Sequence, residues 1–352
     1  MKKLPFLLAA VCLTALLASA WDIHEKWSGP KIMTISLGWH PDILPGYESR
    51  FVNQGIAFDG PCRSTIIRRM SKRPSRRAYL YIHGFNDYFF QSEMGVRLAD
   101  SGYNFYAVDL RRYGRSKLPW QYPFDIRNQK EYFNDIDSAL AQIRRDGNTD
   151  ITLSGHSTGG LTVLLFAAER GKDIGVDRVV TNSPFLDWNY SPFMRKVAIP
   201  TVAALSRILP ESKVTQSHCD GYGESLLKEY HGEWTYNTDW KMIYSPPVTF
   251  QWIRSIDHAH SLLQKKRRDI AVPILVMHSS RKVTGCDWTP EFQTGDCVLD
   301  PDMIARIGAT LGSERQVATI DSGIHDLILS EFRPRDAAYD TIFRFLREYR
   351  AK

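Results

Sequence analysis

"ITLSGHSTGGLTVLLF", residues 151–166, places a short apolar run, a serine held between two glycines, and a second apolar run in direct succession. The first run has strand length, and the second continues as a helix-length segment from Thr158 to Arg170. Gly155 and Gly159 let strand and helix approach a tight bend without side-chain clashes. Packing alone explains the glycines but not a serine between them. At such a bend the hydroxyl of Ser157 projects from the carboxyl end of a sheet, with the amide-rich start of a helix facing any negative charge that develops there. G-x-S-x-G alone is a weak signal, and the strand-turn-helix context is what makes Ser157 a candidate nucleophile.

Working outward, "RAYLYIHG" reads as a buried strand ending at Gly84, and "YNFYAVDL" as another, with a helix-length segment over 89–101 between them. Strand, helix, strand at this spacing implies a right-handed crossover and parallel pairing. The pattern continues with a helix over 128–145, the strand "DITLSG", the helix 158–170 and the strand "VDRVVTNS". Before it all, "FVNQGIAF" and "RSTIIRR" flank Asp59-Gly60 as a hairpin. After Pro184 the rhythm breaks into aromatic-rich pieces interrupted by Pro200, Pro210, Pro246 and Pro247, then resumes with "VPILVMHS", a helix over 301–311, "QVATID" and a helix over 335–350. The expected architecture is an α/β fold: a mostly parallel sheet with helices on both faces. Residues 21–185 and 269–352 form the core, and 186–268 an inserted, mainly helical cap.

The first twenty residues are expected to be a signal peptide: Lys2 and Lys3, an apolar stretch from Leu4 to Leu17, then Ala18-Ser19-Ala20. The alternative is an N-terminal membrane anchor. Export implies a periplasmic or secreted protein in an oxidising compartment. Of 352 residues 43% are hydrophobic and 24% charged, which excludes a disordered chain. Removing residues 1–20 takes two lysines from a net charge of +6, a weak balance, and no nucleic-acid module is visible. The run Lys265-Lys266-Arg267-Arg268 reads as a solvated helix face, with transient contact with a membrane surface as the other reading. Cys286 and Cys297 flank a loop, and a bridge between them is expected, contributing about 3 kcal/mol. Cys62 and Cys219 remain for free thiols.

A serine hydroxyl needs a base, and His325 in "DSGIHDLIL", after a strand near the chain's end, is placed to supply it. His83, His156, His258 and His260 read as structural; the pair two apart, 258 and 260, diverges on a helix and does not suggest a metal. The backbone N–H groups of Phe85, beyond the strand end at Gly84, and of Thr158, after the candidate nucleophile, are the expected oxyanion donors.

"HGFND", "DLRRYGRS", "GHSTGG" and "GIHD" together resemble the α/β-hydrolase superfamily, and within it the serine aminopeptidase-like group that includes monoacylglycerol lipases and lysophospholipases. In "DLRRYGRS", Arg112 stands where the group has a glycine. The resemblance implies an aspartate soon after the penultimate strand, yet "VMHSSRKV" holds no carboxylate. "GDCVLDPDMIARIG" looks like that acid segment displaced by an insertion over roughly 284–295, which makes Asp296 the partner of His325. Asp300 is the alternative acid, with Asp287 and Asp302 behind it; capping of the helix at Pro301 is the other use for these aspartates.

The implied activity is hydrolysis of carboxylic esters with an apolar acyl group, such as a monoacylglycerol or lysophospholipid, by Ser157, His325 and Asp296, without cofactor or metal. Trp188, Trp234, Trp240 and Trp252 either line an acyl pocket or hold the cap together. Two other readings stay open: an aminopeptidase gripping the substrate amine through Glu224, Glu229 or Glu233, and a catalytically silent binding protein.

Overall fold

The strands that carry the site divide their side chains between two apolar layers, which is why they read as nearly continuous apolar runs. The computed structural model describes residues 38–215 and 221–350; the expected signal peptide, residues 1–20, lies outside the described residues, as does Cys219. Strand β1 (His40–Pro41) pairs with β2 (Glu48–Ala57), and β2 with β3 (Gly60–Arg69), turning at Asp59-Gly60 where Gly60 has φ +102°. Then β4 (Arg77–Ile82), α1 (Ser92–Asp100), β5 (Asn104–Asp109), α2 (Glu131–Arg145), β6 (Asp150–His156), α3 (Thr158–Arg170) and β7 (Arg178–Asn182) alternate.

Between β7 and the next long strand come α4 (Ile199–Leu205), β8 (Lys213–Val214), α5 (Gly221–Leu226), β9 (Val248–Thr249) and α6 (Phe250–Lys266). Of these, α6 packs on α3 and buries Trp252, Ile253, Ile256 and Leu263 in the core. The chain closes with β10 (Ile274–Ser279), α7 (Pro301–Gly308), β11 (Arg315–Ile320) and α8 (Phe332–Glu348). Helix α8 begins earlier than the expected 335 because Pro334 falls in its first turn, where the missing N–H costs nothing.

The nine-stranded sheet has the order β1-β2-β3-β5-β4-β6-β7-β10-β11, parallel from β5 onward. Ala78, Leu80 and Ile82 of β4 face the layer with α2, α3 and α6, while Tyr79 and Tyr81 face the layer with α1 and α8. The expected α/β architecture, with helices on both faces, is therefore the observed one. No helix among the described residues is long and apolar enough to cross a membrane.

The cysteine expectation needs correction. Cys297 is a free thiol, as is Cys62, so the Cys286–Cys297 bridge is not made. The loop holding Cys286 turns toward α5, where the Gly221 N–H donates to the Cys286 carbonyl at 3.1 Å, and Cys286 has its partner elsewhere. Cys297 instead follows Asp296 into the protein, and burial, with the Asp296 carboxylate beside it, pushes its thiol well above the ordinary range.

Arg112 stands where the resemblance implies a glycine. It takes φ +69°, a conformation that strains a side-chain-bearing residue. Its fully buried guanidinium holds Asp59 through two bonds of 2.8 and 2.6 Å and lies over the Phe58 ring. A bidentate buried pair of this kind fixes the turn that glycine would otherwise permit.

Candidate active site

Ser157 joins β6 to α3 with φ 53° and ψ −117°, a strained combination for a residue with a Cβ. The neighbouring glycines explain how the corner survives. A Cβ on Gly159 would run into the carbonyls of Ile82 and His83, and one on Gly155 into the backbone of Gly159. Strand β4, strand β6 and helix α3 thus meet at backbone distance, and the bend lifts Ser157 from the carboxyl end of the sheet.

His325 lies in the turn after β11. Its Nε2 is 3.0 Å from Ser157 Oγ and its Nδ1 2.9 Å from Asp296 Oδ2. These residues come from three separate stretches of chain, and the structure brings together all three expected at the site. Asp296 is fully buried, and its Oδ1 accepts from the amides of Val298 and Leu299 at 2.8 and 2.7 Å, so both carboxylate oxygens are engaged. The inserted loop is pinched shut at its base. Val283 N–H donates to the Asp296 carbonyl at 2.8 Å, and Asp296 N–H to the Arg281 carbonyl at 2.9 Å. Asp296 therefore stands just beyond the end of β10 despite the intervening loop.

Asp300 is elsewhere. It caps α7, accepting from Met303 N–H at 3.2 Å, and faces Lys282 at 3.5 Å. Asp287 and Asp302 are exposed.

Thr158 is the first residue of α3, so its N–H has no acceptor within the helix. Gly84 packs directly on Ser157, since a Cβ there would lie 3.1 Å from the serine's own Cβ. That contact brings the following residue, Phe85, to the site's edge. The Phe85 ring packs on Phe124 and Trp252, with centroids 5.3 and 4.9 Å away, and Trp252 continues to Trp188 and Phe185. An aromatic wall thus adjoins Ser157, whose carbonyl also accepts from Phe185 N–H. The other two tryptophans pack on the loop after β4: Trp234 against Phe90, and Trp240 against Tyr88. Ser157 is 8% exposed, and Tyr222 of α5 sits edge-on to the His325 ring at 5.6 Å.

A second group of polar side chains, not anticipated as functional, lies behind the imidazole. His156 Nδ1 is 3.8 Å from Asp87 Oδ2 and 3.6 Å from Asp326 Oδ2, and the His156 and His325 rings lie 4.9 Å apart. Lys241 Nζ reaches Asp87 Oδ1 at 3.0 Å, and Asn182 donates to Asp326 at 2.6 Å. Burial alone would raise the Asp87 carboxyl, but Lys241, with His156 and His83, outweighs it and holds Asp87 well below the usual carboxylate range. Among the described residues, Asp87, His156 and Asp326 are the group whose ligand atoms are close enough to hold a metal ion. Lys241 already supplies a cation there. Asp87 stands within "HGFND" and His156 within "GHSTGG", whereas Lys241 carries no sequence signal because 154 residues separate it from its partner.

A mostly parallel sheet whose central strand ends in a serine corner, with a histidine and an aspartate delivered from later turns, is the α/β-hydrolase arrangement. The chain belongs to the hydrolase family described as Serine aminopeptidase, S33, which matches residues 73–331. Among solved structures, a soluble variant of the monoglyceride lipase of Saccharomyces cerevisiae, with a substrate analogue, is similar at TM-score 0.61 and 16% identity, over 86% of this chain and 95% of that one. The monoacylglycerol lipase of Paleococcus ferrophilus gives 0.59 and 19%, over 80% and 98%. A thermostable carboxyl esterase from Bacillus coagulans, in complex with glycerol, gives 0.59 and 13%, over 86% and 98%. At such identities the likeness is one of fold. No curated protein sequence matches this chain.

Proposed function

We propose that the protein is a serine hydrolase cleaving carboxylic esters with an apolar acyl group, of the monoacylglycerol or lysophospholipid kind, through an acyl-enzyme. The observation that carries this reading is the continuous hydrogen-bonded series Ser157 Oγ–His325 Nε2 at 3.0 Å and His325 Nδ1–Asp296 Oδ2 at 2.9 Å. A neutral hydroxyl attacks poorly until a base takes its proton. Ser157 Oγ bonds to the ester carbonyl carbon as His325 takes that proton, and Asp296 holds the ring and stabilises the imidazolium. The carbonyl oxygen becomes an oxyanion held by the amides of Phe85 and Thr158, an interaction worth about 10²- to 10³-fold per donor. The C–O bond then breaks and the alcohol leaves with the proton from His325. Water, deprotonated by the same ring, attacks the acyl carbon, releases the acid and returns the hydroxyl to Ser157.

Of the expected cap, residues 186–268, the part before α6 is read as covering this site, because α6 itself packs in the core. The aromatic wall of Phe85, Phe185, Trp188 and Trp252 suits an apolar acyl chain. On the same segment Tyr190, Phe193, Val197, Leu205 and Ile208 are exposed, with Lys196 and Arg207 between them, which fits transient contact with a lipid surface. Export by residues 1–20 to a periplasmic or extracellular location belongs to the same proposal.

Labelling by a fluorophosphonate probe, lost in Ser157→Ala, tests the nucleophile. A panel of nitrophenyl esters of rising acyl length, set beside aminoacyl anilides, tests the substrate. Ester turnover that rises with chain length is expected. Absence of ester turnover, or turnover of the anilides alone, overturns the reading in favour of a silent scaffold or an aminopeptidase respectively. Glu233, one of the acids a peptide substrate would need, is already engaged by Arg335 at 3.3 Å.

A further inference from the structure

The loop after β4 carries the expected oxyanion donor, Phe85, and the two residues that follow are fastened to residues 241 and 242. Asn86 Nδ2 donates to the Met242 carbonyl at 2.7 Å, and Met242 N–H donates to Asn86 Oδ1 at 2.8 Å. Next to this two-point clasp, Lys241 Nζ meets Asp87 Oδ1 at 3.0 Å, with Lys241 5% exposed and Asp87 1%. Asn86 itself has φ 49°, a conformation that costs energy unless the surroundings impose it. A buried ion pair and a reciprocal amide clasp supply that imposition. The same Asp87 faces His156, whose ring lies against His325.

We propose that Lys241 and Asn86–Asp87 form a latch by which the segment between β7 and β10 positions the Phe85 amide, so that the oxyanion site is complete only while this segment is docked at that corner. Lys241 and Asp87 are positioning residues: they touch no reacting atom and act through Phe85. The proposal rests on the esterase reading above, and one arm of its test is independent of turnover.

Removing an interaction that strengthens only in the transition state lowers kcat and leaves KM nearly unchanged. Lys241→Met is expected to lower kcat on a nitrophenyl ester by about 10- to 100-fold, with KM within about threefold. That variant also leaves a buried carboxylate unpaired, so Asp87→Asn/Lys241→Met is the deciding one. Here the thermal midpoint recovers toward wild type while kcat stays low, because no buried charge is left unpaired and the ion-pair half of the latch is still missing. Amide hydrogen exchange across residues 83–90, which needs no substrate, is expected to quicken by about tenfold in the double variant while β10 is unaffected. Recovery of kcat together with the thermal midpoint, or unchanged exchange over 83–90, overturns the latch. If the wild type turns over no ester but exchange quickens as expected, the esterase reading fails and the latch stands.

Discussion

Asp296 lies alongside Lys282 as a parallel bridge pair, although a whole inserted loop separates them in sequence. The loop is thus a detour that returns the chain to its point of departure, and the residue it delivers there meets His325. On this account Asp296→Asn forces the wrong imidazole tautomer and lowers kcat by about 10⁴-fold without unfolding the protein. Asp300→Ala removes a helix cap, costs about 1 kcal/mol and leaves kcat unchanged. Steady-state rates and thermal melts on the two variants check the assignment, and loss of turnover in Asp300→Ala alone would reverse it.

The strain at Ser157 predicts a trade between stability and activity. Glycine adopts a positive φ without penalty, so Ser157→Gly relieves the corner while abolishing turnover. After allowance for the greater freedom of glycine in the unfolded chain, a stabilisation of about 1 kcal/mol is expected. Denaturant unfolding of Ser157→Gly beside Ser157→Ala, which keeps the Cβ, measures it; equal stability of the two would contradict the prediction.

Gly159 makes the opposite case. Its missing Cβ is what lets α3 lie on the carbonyls of Ile82 and His83, and neither backbone atom can turn aside as a flexible side chain could. Gly159→Ala is expected to cost about 3 kcal/mol or more, at the upper end for overpacking. The soluble yield and melting temperature of the variant report this directly.

His260, on α6, is buried against Phe185, where desolvation pushes its pKa down to about 4 although its bond to the Phe185 carbonyl works the other way. The folded protein therefore holds this ring neutral where the unfolded chain, near 6.5, already binds a proton. Stability falls as pH drops from 6.5 toward 4, by up to about 3 kcal/mol from this residue, and is level in this contribution above 6.5. Chemical denaturation of wild type and His260→Gln at several pH values should show the wild-type slope in that window shrink in the variant.

The elbow was legible from residues 151–166 because strand, bend and helix are consecutive there, and the glycines announce both the turn and the close packing. His325 was legible from its place after the last strand. The nearness of Asp296 to His325 was legible through the resemblance of its segment to a known one displaced by a loop. The disulfide expectation failed because nearness in sequence says nothing of which way a loop turns, and this one carries Cys286 to α5 while Cys297 follows Asp296 inward.

Local order is what the amino-acid string determined unaided: the alternation of strands and helices, their parallel pairing and the serine corner all follow from periodicities of a few residues and from glycines at given offsets. The tertiary structure alone decided which buried polar groups meet. Lys241 with Asp87, His156 with Asp326, and Arg112 with Asp59 are far apart along the chain, and burial there requires a partner that no local pattern names.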